Sequence, residues 1–240
     1  MFYTYLCAVK TGTGKLFIVP TPVGNRGDIT LRAIEVLQLS DVVYAEDTRT
    51  TGNLFQLLSI QTPLRSFHMH NEHKKVQELT DRILGGEQVS LVSDAGTPGI
   101  SDPGYLAVRS CLDLGIAVEC LPGATAFIPA LVESGFPCDR FVFEGFLPVK
   151  KGRKTRLEAL KSEQRTLVFY ESPYRVIKTL TEFKGVFGPQ RMASVSREIS
   201  KLYHTTQRGT IEELIVFFEN HPPKGEFVIV ISSYDSRSIC

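Results

Sequence analysis

Three loops rich in glycine and proline carry residues that are suited to binding a small molecule. The longest, residues 91–104 (LVSDAGTPGISDPG), follows an apolar run and leads into a helix predicted to begin at Asp102. The others are residues 19–28 (VPTPVGNRGD) and 120–125 (CLPGAT). A strand, a glycine-rich loop and a helix N-terminus together present backbone N–H groups to a ligand that approaches the main chain closely. Each loop alone is typical of a turn, but three in one domain predict a ligand site.

The predicted ligand site lacks the standard nucleotide fingerprints. Neither GxGxxG nor GxxxxGK(S/T) occurs in the sequence. Both motifs place glycines where the main chain must approach phosphate groups. The sequence therefore disfavours a nicotinamide-dependent oxidoreductase and a P-loop enzyme.

A first charged group follows the predicted strand at residues 41–45. Glu46, Asp47 and Arg49, in the run YAEDTR, are suited to holding a polar substrate or assisting proton transfer. The same spacing fits a structural role equally well, with Asp47 as the N-cap of a helix and Arg49 in solvent.

Further charged residues follow strands in the second half of the chain. Glu171 lies in FYESPYR, between a predicted strand and a helix that starts near Pro173. Arg197 and Lys201 lie in REISK, after another predicted strand. Two interpretations of Lys201 remain open. It stabilises negative charge that develops in a reaction, or it only forms an ion pair with the glutamate of the same motif.

Three histidines, His68, His70 and His73, invite a metal interpretation, because strand residues two positions apart share a face. No second group of Cys, His or Asp at ligand spacing supports that interpretation. We therefore expect no metal, and a polar strand end in which Asn71 caps the next helix.

A short basic run stands out in a chain whose charges nearly cancel. The formal net charge is +1 over 240 residues, so no overall field attracts nucleic acid or acidic membranes. Such a run is usually a solvated surface, but here it is the candidate for contact with phosphate. Its members are Lys150, Lys151, Arg153, Lys154 and Arg156.

The elements that must position these residues alternate along the first half. The pattern predicts strands at 15–20, 41–45, 63–67, 88–93 and 116–121, and helices at 28–39, 71–84, 102–114 and 124–133. This alternation predicts an α/β fold with a mostly parallel sheet, in which ligands bind at the carboxyl ends of the strands. The three glycine-rich loops follow those ends.

A turn-rich segment at 134–140 predicts a domain boundary. We expect a tail at 1–14, an α/β domain at 15–136 and a second α/β domain at 137–240. In the second domain the pattern predicts strands at 141–144, 166–170, 191–195 and 226–231, and helices at 155–161, 173–183 and 211–220.

The cysteines and the apolar runs bear on the location of the protein. The five cysteines are scattered and form no CxxC pair, which predicts a reducing compartment rather than a disulfide framework. No apolar run reaches the roughly 20 residues that span a bilayer, and the first residues lack the features of a signal peptide. We therefore expect a soluble, cytoplasmic protein that is not bound to a membrane.

The motifs, taken in order, resemble a known family. The set VPTPVGN, AEDTR, HN at 70–71, SDAGTPGISDPG, LPGATA, FEGFLP, FYESPYR and REISK resembles the bacterial 16S ribosomal RNA cytidine-2′-O-methyltransferases of the tetrapyrrole-methylase superfamily. The resemblance covers about residues 15–231. SDAGTPGISDPG with YESPYR separates this branch from the porphyrin and diphthamide methylases, whose equivalent loop typically reads like GDP.

The resemblance implies two α/β domains of the tetrapyrrole-methylase type, with S-adenosylmethionine (SAM) in the cleft between them, and usually a homodimer. It also implies methyl transfer to the ribose 2′-hydroxyl of a cytidine in 16S ribosomal RNA, with the small ribosomal subunit or its RNA as partner. The residues that it implies for the SAM site are Asp94, Gly96, Thr97, Ile100, Thr125, Ala126, Tyr170 and the strand around Phe227.

For this reaction we expect charged side chains to converge on the hydroxyl. Lys201 is the first candidate for stabilising the oxyanion and Asp47 for accepting the proton. The catalytic candidates are Glu46, Asp47, Arg49, Glu171, Arg197 and Lys201.

Two departures from the family pattern keep alternatives open. The family's REITK motif is commonly followed within a few residues by an acid, and this chain has His204 there. Many members also carry a helical extension after the strand that ends here at Ile231, whereas nine residues follow Ile231 in this sequence. One alternative is a methyltransferase of a tetrapyrrole or of a modified protein residue. The other is a SAM-binding module without transfer activity.

Overall fold

The computed structural model describes residues 13–233, so the tail predicted at 1–14 lies almost entirely outside the described residues, as do Cys7 and Cys240. The chain divides into two compact units, each containing one five-stranded sheet. The first unit holds residues 13–22 and Arg26–Ala124, and the second holds Val23–Asn25 and residues 125–233. The predicted class, an α/β protein with two α/β units, is confirmed.

The first unit is a parallel sheet with helices on both faces. Its strand order is β3-β2-β4-β1-β5, and every pairing within it is parallel. Its elements are β1 (Lys15–Ile18), α1 (Leu31–Leu39), β2 (Val42–Ala45), α2 (Thr48–Leu58), β3 (Leu64–Ser66), α3 (Glu72–Leu84), β4 (Gln88–Val92), α4 (Tyr105–Asp113) and β5 (Ala117–Cys120).

Alternating side chains of the strands form two apolar cores. On β1, Leu16 and Ile18 join a buried cluster with residues of α3 and α4, such as Leu79. Phe17, the residue between them, joins the cluster of α1 and α2 on the opposite face, together with Leu37. Because strand side chains alternate between the faces of a sheet, a run that is apolar throughout is required where helices cover both faces.

The helix starts differ from the predicted ones because other residues provide the caps. Helix α1 begins at Leu31, since the Thr30 hydroxyl accepts the N–H of Ala33 at 3.0 Å. Helix α4 begins at Tyr105, after Gly104, and not at Asp102. Helix α2 is absent from the predicted elements, because the polar run TRTTGN hides its apolar stripe.

The second unit is a mixed sheet with the order β6-β7-β10-β8-β9, in which only β6 and β7 pair in parallel. Its elements are α5 (Phe127–Ser134), β6 (Phe141–Phe146), α6 (Arg153–Leu160), β7 (Thr166–Glu171), α7 (Val176–Phe187), β8 (Met192–Arg197), β9 (Thr205–Thr210), α8 (Ile211–Asn220) and β10 (Phe227–Ile231). The edge strand β9 is absent from the predicted elements, because its sequence, TTQRGT, is polar. Within residues 13–233, the structure contains no helix with the length and apolarity that a membrane span requires.

The second unit begins earlier than the boundary predicted from the turn-rich segment. Helix α5 packs on the second sheet, where Ala130 and Leu131 are buried beside Val230. The division at residue 125 keeps this helix with the sheet that covers its apolar face.

Candidate active site

The three glycine-rich loops of the first unit meet beyond the carboxyl end of its sheet. Strand β1 lies between β4 and β5, so the loops that follow these strands emerge side by side. Thr21 and Gly96 exchange two backbone hydrogen bonds of 2.9 Å, and the Thr21 hydroxyl donates to the Ser93 carbonyl at 3.0 Å. The Thr97 hydroxyl donates to the Ala124 carbonyl at 3.0 Å. The loops are thus tied to one another as well as to the sheet.

Two glycines are required by this arrangement. Gly96 has a φ of 85°, in the left-handed region that favours glycine. At Gly123 an added Cβ would lie 2.6 Å from the Cβ of Pro20, so a side chain would push the first and third loops apart.

Carboxylates gather where β2 and β4 end. Asp94 Oδ1 accepts the backbone N–H of Asp47 at 3.0 Å, and the Asp94 N–H lies 3.5 Å from Glu46 Oε2. Burial raises the pKa of Glu46 and of Asp94. Burial, with the charge of Glu46, also raises the pKa of Asp102 to about 7. This edge of the sheet therefore carries negative charge that a cationic ligand would relieve.

Removing the Asp102 carboxylate is expected to stabilise the protein above neutral pH. An unfolded aspartate has a pKa of about 3.9, so the folded protein holds this proton more tightly and loses stability as pH rises from about 4 to 7. Asp102→Asn should raise the unfolding free energy at pH 8 by about 1–2 kcal/mol, after allowance for solvent screening.

Urea unfolding at pH 5 and pH 8 measures the effect. The control is Asp113→Asn, which alters an exposed carboxylate paired with Arg109. If Asp102→Asn and the unmodified protein lose the same stability between the two pH values, the raised pKa is not present in solution.

Asp47 acts as the N-cap of α2, as the structural interpretation of its spacing predicts. Its Oδ1 accepts the backbone N–H of Arg49 at 2.8 Å, and its Oδ2 accepts from Arg49 Nη2 at 2.6 Å. These bonds lower the pKa of Asp47 to about 2. A carboxyl group with that pKa is a weak base at neutral pH, so the geometry argues against Asp47 as the proton acceptor.

His68 and Asn71 close the turn between β3 and α3. Asn71 Oδ1 accepts the N–H of His68 at 2.9 Å, and Asn71 Nδ2 lies 3.1 Å from His68 Nε2. Asn71 occupies the predicted N-cap position of α3, but its side chain makes no capping bond to the helix and bonds His68 and Ser66 instead. In the part of the chain that the structure describes, no three His, Cys, Asp or Glu side chains are grouped to hold a metal ion.

Lys201 lies in a strained loop that follows β8. Glu198 and Ser200 have φ values of 52° and 64°, a conformation that non-glycine residues rarely adopt and that often accompanies function. Lys201 Nζ donates to Glu226 Oε2 at 2.8 Å and to Glu198 Oε1 at 3.1 Å. An added Cβ on Gly24 would collide with Lys201 Cγ, so the backbone of Gly24 supports the lysine stem.

The environment of Lys201 keeps its side chain charged. Burial lowers the pKa of this ammonium group, but the hydrogen bonds that it donates to Glu226 and Glu198 outweigh burial and leave the pKa raised. Lys201 is therefore suited to stabilising an oxyanion and unsuited to accepting a proton. Nearby, Arg197 Nε donates to the Lys224 carbonyl at 2.7 Å.

Glu171 does not fit its predicted catalytic role. Its side chain is 1 % exposed, and its two oxygens accept hydrogen bonds from the Ser172 N–H at 2.8 Å and the Thr179 hydroxyl at 2.6 Å. Arg175 Nε lies 2.9 Å from Glu171 Oε1. The carboxylate is enclosed by its own unit, because partners surround it and solvent does not reach it.

The residues predicted for the SAM site in the second unit differ in accessibility. Ala126 packs at the margin of the cluster beneath α5, and Thr125 precedes it. Tyr170 is half-buried, with its ring centroid 5.1 Å from that of Phe143. Phe227 is 3 % exposed and belongs to the core, and β10 is paired on both sides, with β7 and with β8, so the Phe227 side chain is not accessible to a ligand.

The basic run divides into exposed and engaged residues. Arg153 is buried, and Arg156 is paired with Glu144, so Arg153 in particular is not placed to contact RNA. Lys150, Lys151 and Lys154 are exposed. The sequence could not separate these two groups, because the partners come from other elements of the unit.

His204 stands beside a carboxylate from another element. Its Nε2 lies 3.1 Å from Glu133 Oε2, which also accepts the Thr206 hydroxyl at 2.8 Å. Glu133 belongs to α5, far from His204 in sequence. An acid is therefore adjacent to this position even though residue 204 is not acidic.

Several residues of these clusters are missing from the predicted site, among them Asp102, Glu198 and Glu226. Asp102 lies in the same motif as Asp94, SDAGTPGISDPG, and only this shared motif could have indicated that Asp102 belongs to the carboxylate group. Glu226 pairs with Lys201 across 25 positions, a relation that only the pairing of β8 with β10 creates.

Comparison with known proteins identifies the family. Residues 15–215 match the family described as Tetrapyrrole (Corrin/Porphyrin) Methylases. The chain is 48 % identical over 220 residues to Ribosomal RNA small subunit methyltransferase I of Synechocystis sp., covering 91 % of this chain and 79 % of that protein. It is 44 % identical over 219 residues to the protein of that name from Thermotoga maritima, covering 91 % and 98 %.

Solved structures share the fold at low sequence identity. Diphthine synthase superposes with a TM-score of 0.70 at 11 % identity, over 92 % of this chain and 90 % of that one. Uroporphyrin-III C-methyltransferase from Thermus thermophilus, complexed with S-adenyl homocysteine, superposes with a TM-score of 0.63 at 19 % identity, over 90 % and 97 %.

The matched family consists of SAM-dependent methyltransferases, which confirms the expected cofactor. The chain belongs to the ribosomal RNA small subunit methyltransferase I family, within the tetrapyrrole methylases.

Proposed function

We propose that the protein transfers a methyl group from SAM to the ribose 2′-hydroxyl of a cytidine in the RNA of the small ribosomal subunit. The observation that carries this proposal is the identity of 43–48 % to relatives named for methylation of small-subunit ribosomal RNA. The ordered motifs in the sequence support the finer assignment to the 2′-oxygen of cytidine. The cytoplasm is the proposed location, and a homodimer, which the resemblance implies, is testable by sedimentation.

The loops of the first unit fit the proposed cofactor in chemistry. SAM carries a positive ammonium and a positive sulfonium, and the carboxylates Glu46, Asp94 and Asp102 lie where β2 and β4 end. When bound there, SAM supplies an activated methyl group. Asp94, Gly96, Thr97 and Ile100 are the proposed contacts in this unit, and Thr125, Ala126, Tyr170 and the strand around Phe227 are those proposed in the second.

The side chains have distinct tasks in the proposed reaction. Alignment of the hydroxyl with the methyl group is the first requirement, and positioning supplies roughly 7–11 kcal/mol in favourable cases. Lys201, held charged by Glu198 and Glu226, stabilises negative charge on the ribose oxygen. Glu46 replaces Asp47 as the proposed proton acceptor, because its pKa is raised whereas that of Asp47 is about 2.

Recognition of RNA in this proposal depends on local contacts. The net charge of +1 provides little long-range attraction. Recognition therefore depends on the shape of the RNA and on contacts with the exposed Lys150, Lys151 and Lys154. An assembled subunit presents a defined RNA shape, and we therefore propose it as the substrate in preference to a free oligonucleotide.

The proposal is tested by incubating the protein with methyl-labelled SAM and small subunits from cells that lack the modification. Nuclease mapping should locate the label on one ribose 2′-oxygen of a cytidine. Label on a base, or on another molecule, would contradict the proposed position. Intact SAM binding with no transfer to any ribosomal substrate would favour a binding module.

A further inference from the structure

A buried ionic cluster joins two loops of the second unit. Arg153 is the first residue of α6 and follows the loop at 147–152, whereas Glu171 ends β7 and precedes the turn at 172–175. Their side chains are 6 % and 1 % exposed. Burial of two charges is costly unless they are paired and hydrogen-bonded. The contacts of Arg153 and Glu171 therefore show which parts of the unit the buried charges hold together.

Arg153 ties the first loop to helix α7. Its Nη1 donates to the carbonyl of Pro148, in the loop, at 3.2 Å. Its Nε donates to Glu182 Oε2 and its Nη2 to the Thr179 hydroxyl, each at 2.7 Å. The planar guanidinium group thus fixes the loop and the helix in one geometry.

Glu171 ties the turn at 172–175 to the same helix. One carboxylate oxygen accepts the Ser172 N–H and pairs with Arg175, which places both ends of the turn. The other oxygen accepts the Thr179 hydroxyl at 2.6 Å.

Thr179 is the link between the two halves of the cluster. Its hydroxyl accepts from Arg153 and donates to Glu171, while Arg153 Nη2 and Glu171 Oε2 are themselves 3.9 Å apart. The residue is 1 % exposed. One hydroxyl therefore completes a continuous path from the Pro148 carbonyl to the Ser172 N–H.

The two linked loops present side chains of the kind that bind RNA. The first carries the exposed Lys150 and Lys151, whose ammonium groups suit phosphate. The second carries Tyr174, which is 94 % exposed, and an aromatic ring suits stacking on an unpaired base. A fixed spacing between these groups matters only if one ligand contacts both loops.

We propose that Arg153 and Glu171 are positioning residues which, through Thr179, hold these two loops as one surface that recognises ribosomal RNA. The proposal rests on the proposed function, since RNA is the ligand assumed. It assigns to both residues a role other than the RNA contact and the catalysis that their motifs suggest.

The test is Thr179→Val, which removes the linking hydroxyl and leaves every charge in place. We expect the KM for small subunits to rise about tenfold, equivalent to about 1.4 kcal/mol, with kcat and the Kd for SAM within about twofold. Hydrogen exchange of the amides in residues 147–152 and 172–175 should accelerate together. Thr179→Ser, which restores a hydroxyl, should recover both properties.

The matched control is Thr181→Val in the same helix, because the Thr181 hydroxyl is exposed and donates to the Ile177 carbonyl of that helix at 2.8 Å. If Thr179→Val fails to fold, Glu182→Gln weakens the same cluster from its half-exposed side. An unchanged KM for Thr179→Val would overturn the proposal. The same fall in kcat and the same rise in KM for both valine variants would also overturn it.

Hydrogen exchange separates this proposal from the proposed function. If the unmodified protein methylates no subunit, the proposed function fails, whereas coupled exchange of the two loops would still show that the link operates. If methyl transfer proceeds but exchange accelerates in neither loop, or in only one of them, in Thr179→Val, only the positioning role is overturned.

Discussion

Replacing Lys201 by alanine is expected to lower turnover by about 100-fold or more while changing the affinity for SAM by no more than about threefold. The ammonium group is held charged by Glu198 and Glu226 in a loop whose backbone is strained at two residues. Such preorganised charge stabilises the transition state more than the ground state, so its loss affects kcat. Single-turnover transfer to small subunits, with calorimetry for SAM, measures both quantities.

Two further lysine variants make this test specific. Lys201→Arg keeps the positive charge and should retain part of the turnover. Lys184→Ala removes a lysine that pairs with Glu212 at 2.7 Å on the surface of the same unit, and it should leave turnover unchanged. If Lys201→Ala turns over at the rate of Lys184→Ala, Lys201 has no part in the reaction.

Replacing Glu171 by alanine should lower the free energy of unfolding by about 3–5 kcal/mol, since it removes the buried carboxylate of a hydrogen-bonded ionic cluster and leaves Arg153 with Glu182 as its remaining acidic partner. Arg175 and the Thr179 hydroxyl also lose their acceptor. Chemical unfolding followed by circular dichroism measures this loss. A protein of this size has only modest stability, so partial unfolding at 37 °C is expected.

Glu212→Ala is the matched control for the loss of a carboxylate. Its pair with Lys184 is exposed on both sides and should contribute no more than about 1 kcal/mol. A loss for Glu171→Ala as small as that of the control would mean that the buried cluster contributes little. A catalytic role for Glu171 would instead lower turnover in a variant of unchanged stability.

The elements of the first unit were the most predictable from the sequence. Its strands are short apolar runs, and the structure begins or ends them within a few residues of the predicted bounds. Helix α2 and strand β9 were missed for a shared reason, because polar residues such as those of TTQRGT give no apolar period. Their stability comes from neighbours, such as the six residue pairs that join β9 to β8.

The site was predictable in its motifs and less so in its roles. Residue types indicated acids and cations, but the task of each depends on contacts that sequence spacing does not contain. Asp47 and Glu46 are adjacent, yet a cap bond lowers the pKa of one and burial raises that of the other. Arg153 and Lys150 belong to one basic run, but only Lys150 faces solvent.

Folding of the second unit depends on a short segment, Val23–Asn25, that is synthesised long before the rest of that unit. Val23 packs on the apolar cluster that contains Ile199 and Val228, although the residues on either side of the segment belong to the first unit. Ribosomes add about 5–20 residues per second, so this piece of the second core leaves the ribosome seconds before the strands that will receive it. A fragment starting at Thr125 would expose the vacated apolar face and is expected to aggregate. Folding of the later half is thus tied to a segment that is made first.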